Sequence, residues 1–266
     1  LYVLFFCKEN LAMEEIFEVI KYFPLNISNL LKAAFNQNAK IINEIQEIRV
    51  RVNRPILLKV KDADIVIKYN VSSAEILQTL EKLCDNSIYA YQNQISQGFL
   101  TIKGGHRIGI TGTAVIENNK VINLKYINSL NFRIARQIIN CSNKILGQVL
   151  DLKNNSIYNT LIVSPPGCGK TTMLRDLIRN ISDGVESCGF SGKTCGVVDE
   201  RGEIAAMYKG VPQNDVGIRT DVIENISKSA GIKMLIRSMA PEVIACDEIG
   251  SKEDVEAIRR SFCFRS

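Results

Sequence analysis

The stretch that decides the fold is residues 160–175, which read TLIVSPPGCGKTTMLR. An apolar run from Leu161 to Val163 predicts a strand, a loop of small residues follows, and the segment from Lys170 onward favours a helix. Glycines in such a loop let successive backbone N–H groups turn toward one anion, and the helix N-terminus adds partial positive charge. The order of strand, loop and helix therefore predicts a phosphate-binding loop.

Individual residues of this loop have distinct predicted roles. Lys170 can reach the β and γ phosphates of ATP, and the hydroxyl of Thr171 can bind Mg²⁺. The usual pattern is G-x-x-x-x-G-K-[ST], and this chain departs from it by carrying Ser164 in the first glycine position. The nucleotide is expected to lie against nine consecutive residues: Ser164, Pro165, Pro166, Gly167, Cys168, Gly169, Lys170, Thr171 and Thr172.

The amino-acid composition indicates a globular protein with a hydrophobic core. The 266 residues are 46% hydrophobic and 23% charged, which allows roughly two domains. The net charge of +5 permits contact with polyanions, but 33 basic and 28 acidic residues are interleaved, so nucleic acid is not indicated as a partner. Eight cysteines without a C-x-x-C pair, and one histidine, His106, in a loop, do not predict a zinc site.

The N-terminal apolar run is too short to cross a bilayer. We therefore expect a cytoplasmic protein without a transmembrane segment. Residues 1–12 are expected to precede the fold, because Met13 opens the first amphipathic segment.

Residues 13–132 predict a small α+β domain. Helical spacing of apolar residues predicts two short helices around Phe23-Pro24, and alternating runs predict strands over 48–52, 56–60 and 65–69. Ser72 with Glu75 forms a capping-box pattern at the start of a further helix. Short β-like runs after Gly98 predict hairpins.

Residues 133–266 predict the ATP-binding domain. Strands at 195–198 and 243–246 alternate with three helices: the one that begins at Lys170, one at 228–239 and a last one capped by Ser251. This alternation favours an α/β fold with a mostly parallel sheet and helices on both faces.

Transfer of a γ-phosphoryl group to water needs a loop for the phosphates, a metal, a carboxylate and cations. Asp247 ends an apolar strand, as a Mg²⁺-holding Walker B aspartate does, and Glu248 would orient or deprotonate the attacking water. A second acidic cluster, Asp199, Glu200 and Glu203, lies at another predicted strand end, where ligands of parallel sheets bind. The candidate cations are Arg133, Arg136, Arg201, Arg219 and Arg237.

Taken together, these motifs resemble the stage III sporulation AA family, a relative of the type II and type IV secretion ATPases. The resemblance rests on SPPGCGKTTMLRDLIR, VVDERGEIA, DVGIRTDV, GIKMLIRSMAPEVIACDEIG, EIRVRVNRP and GGHRIGITGTAV, and it covers Met13 to about Ile258. It implies a RecA-like domain working as a hexameric ring. It also implies a position on the mother-cell side of the forespore membrane, powering membrane-embedded sporulation channel proteins.

The resemblance further assigns roles to single residues. Glu200 or Glu203 would belong to the acidic box, Arg133 and Arg136 would reach phosphates, and Arg219 and Arg237 match arginines of the motor core. One departure stands out: after EDVEAIRR the chain closes with SFCFRS, where the family continues through a strand carrying a Thr-x-His-Gly type motif. The C-terminus is therefore interpreted as truncated.

Two alternative functions remain at this point. A nucleic-acid-dependent ATPase is motivated by the basic balance and the arginine-rich run at 48–51, although no aromatic residues interleave with those charges to form a stacking platform. A nucleotide-binding but inactive product is motivated by the C-terminus. The secretion-type motor is the preferred prediction.

Overall fold

A computed structural model describes residues 8–61 and 63–263. The chain divides into two compact units, the first ending at Ala135 and the second beginning at Arg136. The sequence puts the domain boundary at residue 133.

The first unit is a six-stranded antiparallel sheet with helices packed on one face. Its strands follow the order β3-β2-β1-β6-β5-β4. On β1 the side chains of Ile48 and Val50 are buried in the core with the helices, and Arg49 and Arg51 lie on the opposite face. The elements are α1 (Lys8–Ile20), α2 (Leu25–Gln37), α3 (Ala39–Glu44), β1 (Ile45–Arg51), β2 (Pro55–Val60), β3 (Ala63–Asn70), α4 (Ser73–Leu83), a 3₁₀ turn (Ile88–Tyr91), α5 (Gln92–Ser96), β4 (Phe99–Thr101), β5 (Arg107–Glu117) and β6 (Lys120–Arg133).

Most of the local predictions for this unit are confirmed. Two helices flank Phe23-Pro24, and three strands follow near the expected positions. The capping box is present: the N–H of Glu75 donates to Oγ of Ser72 at 3.2 Å, and the N–H of Ser72 donates to Oε2 of Glu75 at 2.8 Å. Residues 8–12 belong to α1, contrary to the expectation that the fold begins at Met13, and residues 1–7 lie outside the described part.

The second unit contains a three-stranded parallel sheet of order β12-β11-β13 and two short antiparallel pairs. On β11 the side chain of Val197 packs in one core with residues of α7, whereas Val198 packs in another with residues of α8 and α9. Helices therefore cover both faces, as predicted, while the sheets of the chain as a whole are mixed. The elements are α6 (Asn143–Val149), β7 (Leu150–Asp151), β8 (Ser156–Ile157), α7 (Lys170–Asp183), β9 (Gly184–Val185), a 3₁₀ turn (Glu186–Cys188), β10 (Phe190–Ser191), β11 (Cys195–Asp199), β12 (Thr220–Glu224), α8 (Lys228–Ser238), β13 (Val243–Cys246) and α9 (Lys252–Cys263).

The strand predicted at 161–163 is wrong. Within the described residues this segment pairs with no strand, and the side chains of Leu161 and Val163 are 70% and 81% exposed, whereas Ile162 packs against the core. A strand needs hydrogen bonds from a neighbouring backbone, and an apolar run specifies only which side chains can be buried. The segment leads into the loop as a connection without regular secondary structure.

Candidate functional site

The loop before α7 has the backbone shape that the glycines were expected to provide. Gly167 and Gly169 have φ of 76° and 81°, in the left-handed region that favours glycine, and Gly169 is the N-cap of α7. The first helical hydrogen bond runs from the N–H of Met173 to the carbonyl of Gly169 at 2.9 Å. Ser164 does not adopt a positive φ, so this position does not require a glycine.

Lys170, the first residue of α7, lies across this loop. Its Nζ donates to the carbonyl oxygen of Ser164 at 2.9 Å and to that of Pro165 at 3.1 Å. The ammonium charge is therefore held against the loop, beside the N-terminus of the helix. An anion bound by the loop would meet both the lysine and the positive end of α7.

Thr171 and Asp247 meet across the space between α7 and β13. Oγ1 of Thr171 donates to the carboxylate of Asp247, with distances of 3.2 Å to Oδ2 and 3.4 Å to Oδ1. Asp247 directly follows β13, and the adjacent parallel strand β11 ends at Asp199, so both carboxylates lie at the carboxyl edge of the sheet. The sequence predicted this edge as the ligand side.

The Thr171–Asp247 pair fits Mg²⁺ bound together with a nucleotide. Among the described residues there is no cluster of three or more His, Cys, Asp or Glu that could hold a metal without help. Mg²⁺ prefers oxygen ligands and is commonly bound by one or two protein groups plus substrate phosphates and water. The hydroxyl of Thr171 and the carboxylate of Asp247, beside the glycine loop, would supply the protein part of that set.

Asp199 and Arg175 fix the acidic segment that follows β11. The buried carboxylate of Asp199 accepts backbone N–H bonds from Glu203, Ile204 and Ala205 at 2.8, 3.0 and 2.9 Å. The guanidinium of Arg175, on α7, donates to the carbonyls of Glu203 and Ile204, each at 2.6 Å. Burial lowers the pKa of Arg175, and the charge of Asp199 opposes that effect.

The two other carboxylates of the predicted set form ion pairs. Lys228 of α8 donates to the carboxylate of Glu200 in a close ion pair. Burial lowers the pKa of Lys228, but the hydrogen bond to Glu200 and the charge of nearby acids together outweigh it, so the pKa is raised. Glu248 pairs with Arg201 at 3.0 Å, and both side chains are more than half exposed. Exposed pairs of this kind contribute little to stability, so the Glu248 carboxylate is easily reoriented.

The four arginines predicted as catalytic are dispersed over the chain. Arg133 ends β6 in the first unit, and Arg136 begins the second. Nη1 of Arg219 donates to the carbonyls of Ser182 at 2.8 Å and Asp183 at 3.3 Å, at the end of α7 opposite the loop.

Arg237 is exposed in the last turn of α8. Because α7 rises ~1.5 Å per residue over its length, Arg219 is roughly 20 Å from Lys170 within one chain. The catalytic roles of the four arginines stay predictions.

Arg175 was not identified from the sequence. Its partners are backbone carbonyls nearly thirty residues further along the chain, which leave no side-chain pattern to detect. The available signal was its position one turn after Thr171, on the helix face that turns toward the sheet.

The fold is similar to that of solved secretion-type ATPases. Similarity to the ATPase DotB of Legionella pneumophila has a TM-score of 0.54 at 15% identity, covering 91% of this chain and 63% of that one. The pilus retraction motor PilT with bound ADP gives 0.54 at 14% identity, covering 84% and 61%. The DotB ATPase of Yersinia pseudotuberculosis gives 0.53 at 13% identity, covering 90% and 63%. The chain thus spans less than two thirds of these relatives' length and has their α/β fold.

By sequence, the chain belongs to the sporulation stage III, protein AA family, whose profile matches residues 14–264. It is 40% identical over 246 residues to stage III sporulation protein AA of Bacillus subtilis (strain 168), which covers 92% of this chain and 76% of that protein. The family resemblance drawn from the motifs is confirmed. No helix among the described residues is long and apolar enough to cross a membrane.

Proposed function

We propose that this chain binds and hydrolyses ATP as the RecA-like motor of a sporulation-specific transport complex. The observation that carries the proposal is the Thr171–Asp247 contact at 3.2 Å, formed where the glycine loop opens into α7. A hydroxyl, a carboxylate and a loop-bound lysine converge there, and nucleotide phosphates with a divalent cation match all three.

The residues divide the chemistry among them. The backbone of 164–169 and the side chain of Lys170 bind and orient the phosphates. Thr171 and Asp247 would hold Mg²⁺, and the bound ion would neutralise charge on the phosphate oxygens. Glu248 orients the attacking water and accepts its proton. Glu200 and Glu203 form the acidic segment that Arg175 and Lys228 keep beside this edge.

The finer cellular role rests on the family and the fold. Membership of a sporulation family, together with the fold shared with DotB and PilT, supports a cytoplasmic motor on the mother-cell side of the forespore membrane. There it would form a ring of six copies and drive membrane-embedded channel proteins. Arg133, Arg136, Arg219 and Arg237 would supply cations to the active sites of that ring.

The test is nucleotide binding with size analysis in ATP and Mg²⁺. Lys170→Ala should weaken ATP binding at least about thirtyfold, because it removes a charge-assisted contact to phosphate. Lys233→Ala, an exposed lysine of α8, is the matched control and should bind like the wild type. Near-wild-type affinity in Lys170→Ala would refute the phosphate-binding loop. Binding without turnover in the wild type would instead favour the inactive alternative.

A nucleic-acid-dependent ATPase is the second candidate, and one observation favours it. Arg49, Arg51, Arg107 and Arg133 share the face of the six-stranded sheet opposite the helices, and Arg107 and Arg133 are directly paired across strands. Like charges placed opposite each other are unfavourable. Glu47, paired with Arg133 on the same face, forms an ion pair with Arg49 at 2.6 Å, so this carboxylate offsets part of the positive charge and a bound polyanion would offset the rest. Hydrolysis stimulated by DNA or RNA, and lost in Arg49→Gln/Arg51→Gln, would establish this function in place of the channel motor.

A further inference from the structure

The outer half of the β5–β6 hairpin is a two-stranded ribbon that extends past the rest of the sheet. Its residues pair from Thr113 with Lys125 to Glu117 with Lys120, whereas β4 and β1 pair only with the inner halves of β5 and β6. No residue of 113–126 is buried. Isolated two-stranded ribbons are marginally stable in water, so a ribbon of this length is expected to have a partner.

A fixed bend separates the ribbon from the sheet. The register passes from Thr111–Ser129 to Thr113–Lys125, so that three residues on β6 oppose Gly112. Tyr126 within this bulge has φ of 47°, and a Cβ on Gly112 would lie 2.6 Å from the carbonyl oxygen of Lys125. Bulges of this kind redirect a strand, and the glycine is required for the close approach.

The ribbon is amphipathic. Directly paired residues share a face, so Ile116 with Val121 and Ala114 with Leu124 form an apolar face. Ile116 is 64% exposed and Val121 is 42% exposed.

The opposite face pairs Thr113 with Lys125, Val115 with Asn123 and Glu117 with Lys120, so it is polar apart from Val115 and carries two lysines against one acid. Ile122 at the bulged position (42% exposed) and Tyr126 at the base (84%) add apolar surface. The apolar face continues the core side of the sheet: Leu124 packs against the core of the first unit, whereas Ile116 and Val121 are exposed further along the ribbon.

We propose that this ribbon docks on an anionic membrane surface, with its apolar face in the lipid interface and its lysines among the headgroups. The apolar side chains are too few to supply the ~800 Å² per partner of a stable protein interface, which argues against a second copy. A membrane surface has anionic headgroups above apolar acyl chains. A ribbon with lysines on one face, apolar side chains on the other and a tyrosine at the boundary is complementary to such a surface. The inference concerns the first unit alone and does not depend on nucleotide chemistry.

The test is sedimentation of the full chain, without nucleotide, with vesicles of phosphatidylcholine alone or mixed with phosphatidylglycerol. The wild type should bind the mixed vesicles more tightly. Ile116→Ser/Val121→Ser should reduce that binding at least about tenfold, because it removes the inserting side chains. Val66→Ser is the matched control, since Val66 is 53% exposed on β3 of the same sheet, and it should bind like the wild type.

A second pair of variants tests charge without changing the apolar face. Lys120→Glu/Lys125→Glu should lower binding to the mixed vesicles by about tenfold or more, whereas Lys59→Glu/Lys68→Glu on β2 and β3 should not. Thermal unfolding of each variant shows whether it is folded.

The proposal is overturned if the wild type binds vesicles with and without phosphatidylglycerol equally. It is equally overturned if the folded Ile116→Ser/Val121→Ser variant binds the mixed vesicles as tightly as the wild type. It is also overturned if the wild type is a dimer in solution that the serine variant dissociates while neither binds vesicles, because a second copy would then cover the face.

Discussion

At the residue scale, the carboxylates after β11 and β13 differ in how firmly they are held. Asp199 accepts three backbone N–H bonds and is buried, and Glu200 is tied to the buried Lys228. Glu248 has only an exposed ion pair with Arg201. A general base must be able to approach its water, so Glu248 is the carboxylate suited to that role, and the other two are suited to holding the site's shape.

Glu248→Gln should therefore separate binding from turnover. Glutamine keeps the size of the side chain but cannot accept a proton, so ATP turnover should fall at least about a hundredfold while ATP affinity changes little. Steady-state hydrolysis and equilibrium nucleotide binding measure the two quantities. Arg201→Gln breaks the same ion pair and leaves the carboxylate, so it is the control. Full turnover in Glu248→Gln would assign the base to another residue.

His106 gives a second residue-scale prediction, on stability. Its side chain is 1% exposed, Nδ1 accepts the N–H of Ala135 at 3.1 Å, and burial lowers its pKa to about 4. The unfolded chain, with a histidine pKa near 6.5, binds the proton more readily than the folded one. His106 therefore stabilises the fold fully above pH 6.5, and up to about 3 kcal/mol is lost as the pH falls from 6.5 to 4.

The measurement is urea unfolding of the wild type and His106→Asn at several pH values. Carboxylates also titrate in this range, but they contribute to both proteins and cancel in the difference. The difference in unfolding free energy should shrink as the pH drops. A constant difference would mean that His106 takes up its proton at the same pH in the folded and the unfolded protein.

At the scale of elements, α7 organises the site from its first two turns. Its N-terminus follows the glycine loop, and one turn further Arg175 holds the acidic segment through two carbonyls. Arg175→Ala should destabilise the chain by about 3 kcal/mol, because two partly buried carbonyls lose charge-assisted hydrogen bonds.

Hydrogen exchange should detect this loss as faster exchange of the amides of 203–205. Arg175→Lys is the matched control, since it keeps the charge without the two-point contact, and an intermediate effect is expected. Unchanged exchange in Arg175→Ala would show that the three hydrogen bonds to Asp199 suffice to order the segment.

Elements were predictable from sequence where the determining interactions are local. The capping box at Ser72, the turn at Phe23-Pro24 and the apolar strands β11 and β13 depend on neighbours a few residues away, and all are present. The strand expected at 161–163 failed, and β12 was missed because Asp221 and Glu224 interrupt its apolar pattern. In both cases the outcome depends on pairing between segments that are distant in the sequence. The contact of Thr171 with Asp247 is of the same kind, because the two residues are 76 positions apart and only the phosphate-binding motif indicated that they would meet.

At the scale of the whole molecule, the arginines raise the question of which copy they serve. Arg219 donates a hydrogen bond to the carbonyl of Ser182 at the C-terminal end of α7, and Arg237 is exposed at the end of α8. If these side chains stabilise charge during hydrolysis in a ring, each acts on the site of a neighbouring copy. Arg237 is the better probe, because replacing Arg219 would also remove hydrogen bonds that stabilise α7.

Mixing two inactive variants distinguishes the two arrangements. Glu248→Gln lacks the base and Arg237→Ala lacks the cation, so each alone should hydrolyse little ATP. In randomly mixed rings, about a quarter of the sites would combine an intact Glu248 with a neighbour's intact Arg237, and hydrolysis should recover to about that fraction. Turnover is measured after mixing and compared with the sum of the separate variants. If the mixture shows no more than that sum, Arg237 acts within its own chain or not at all, and the proposed exchange of catalytic groups between copies is incorrect.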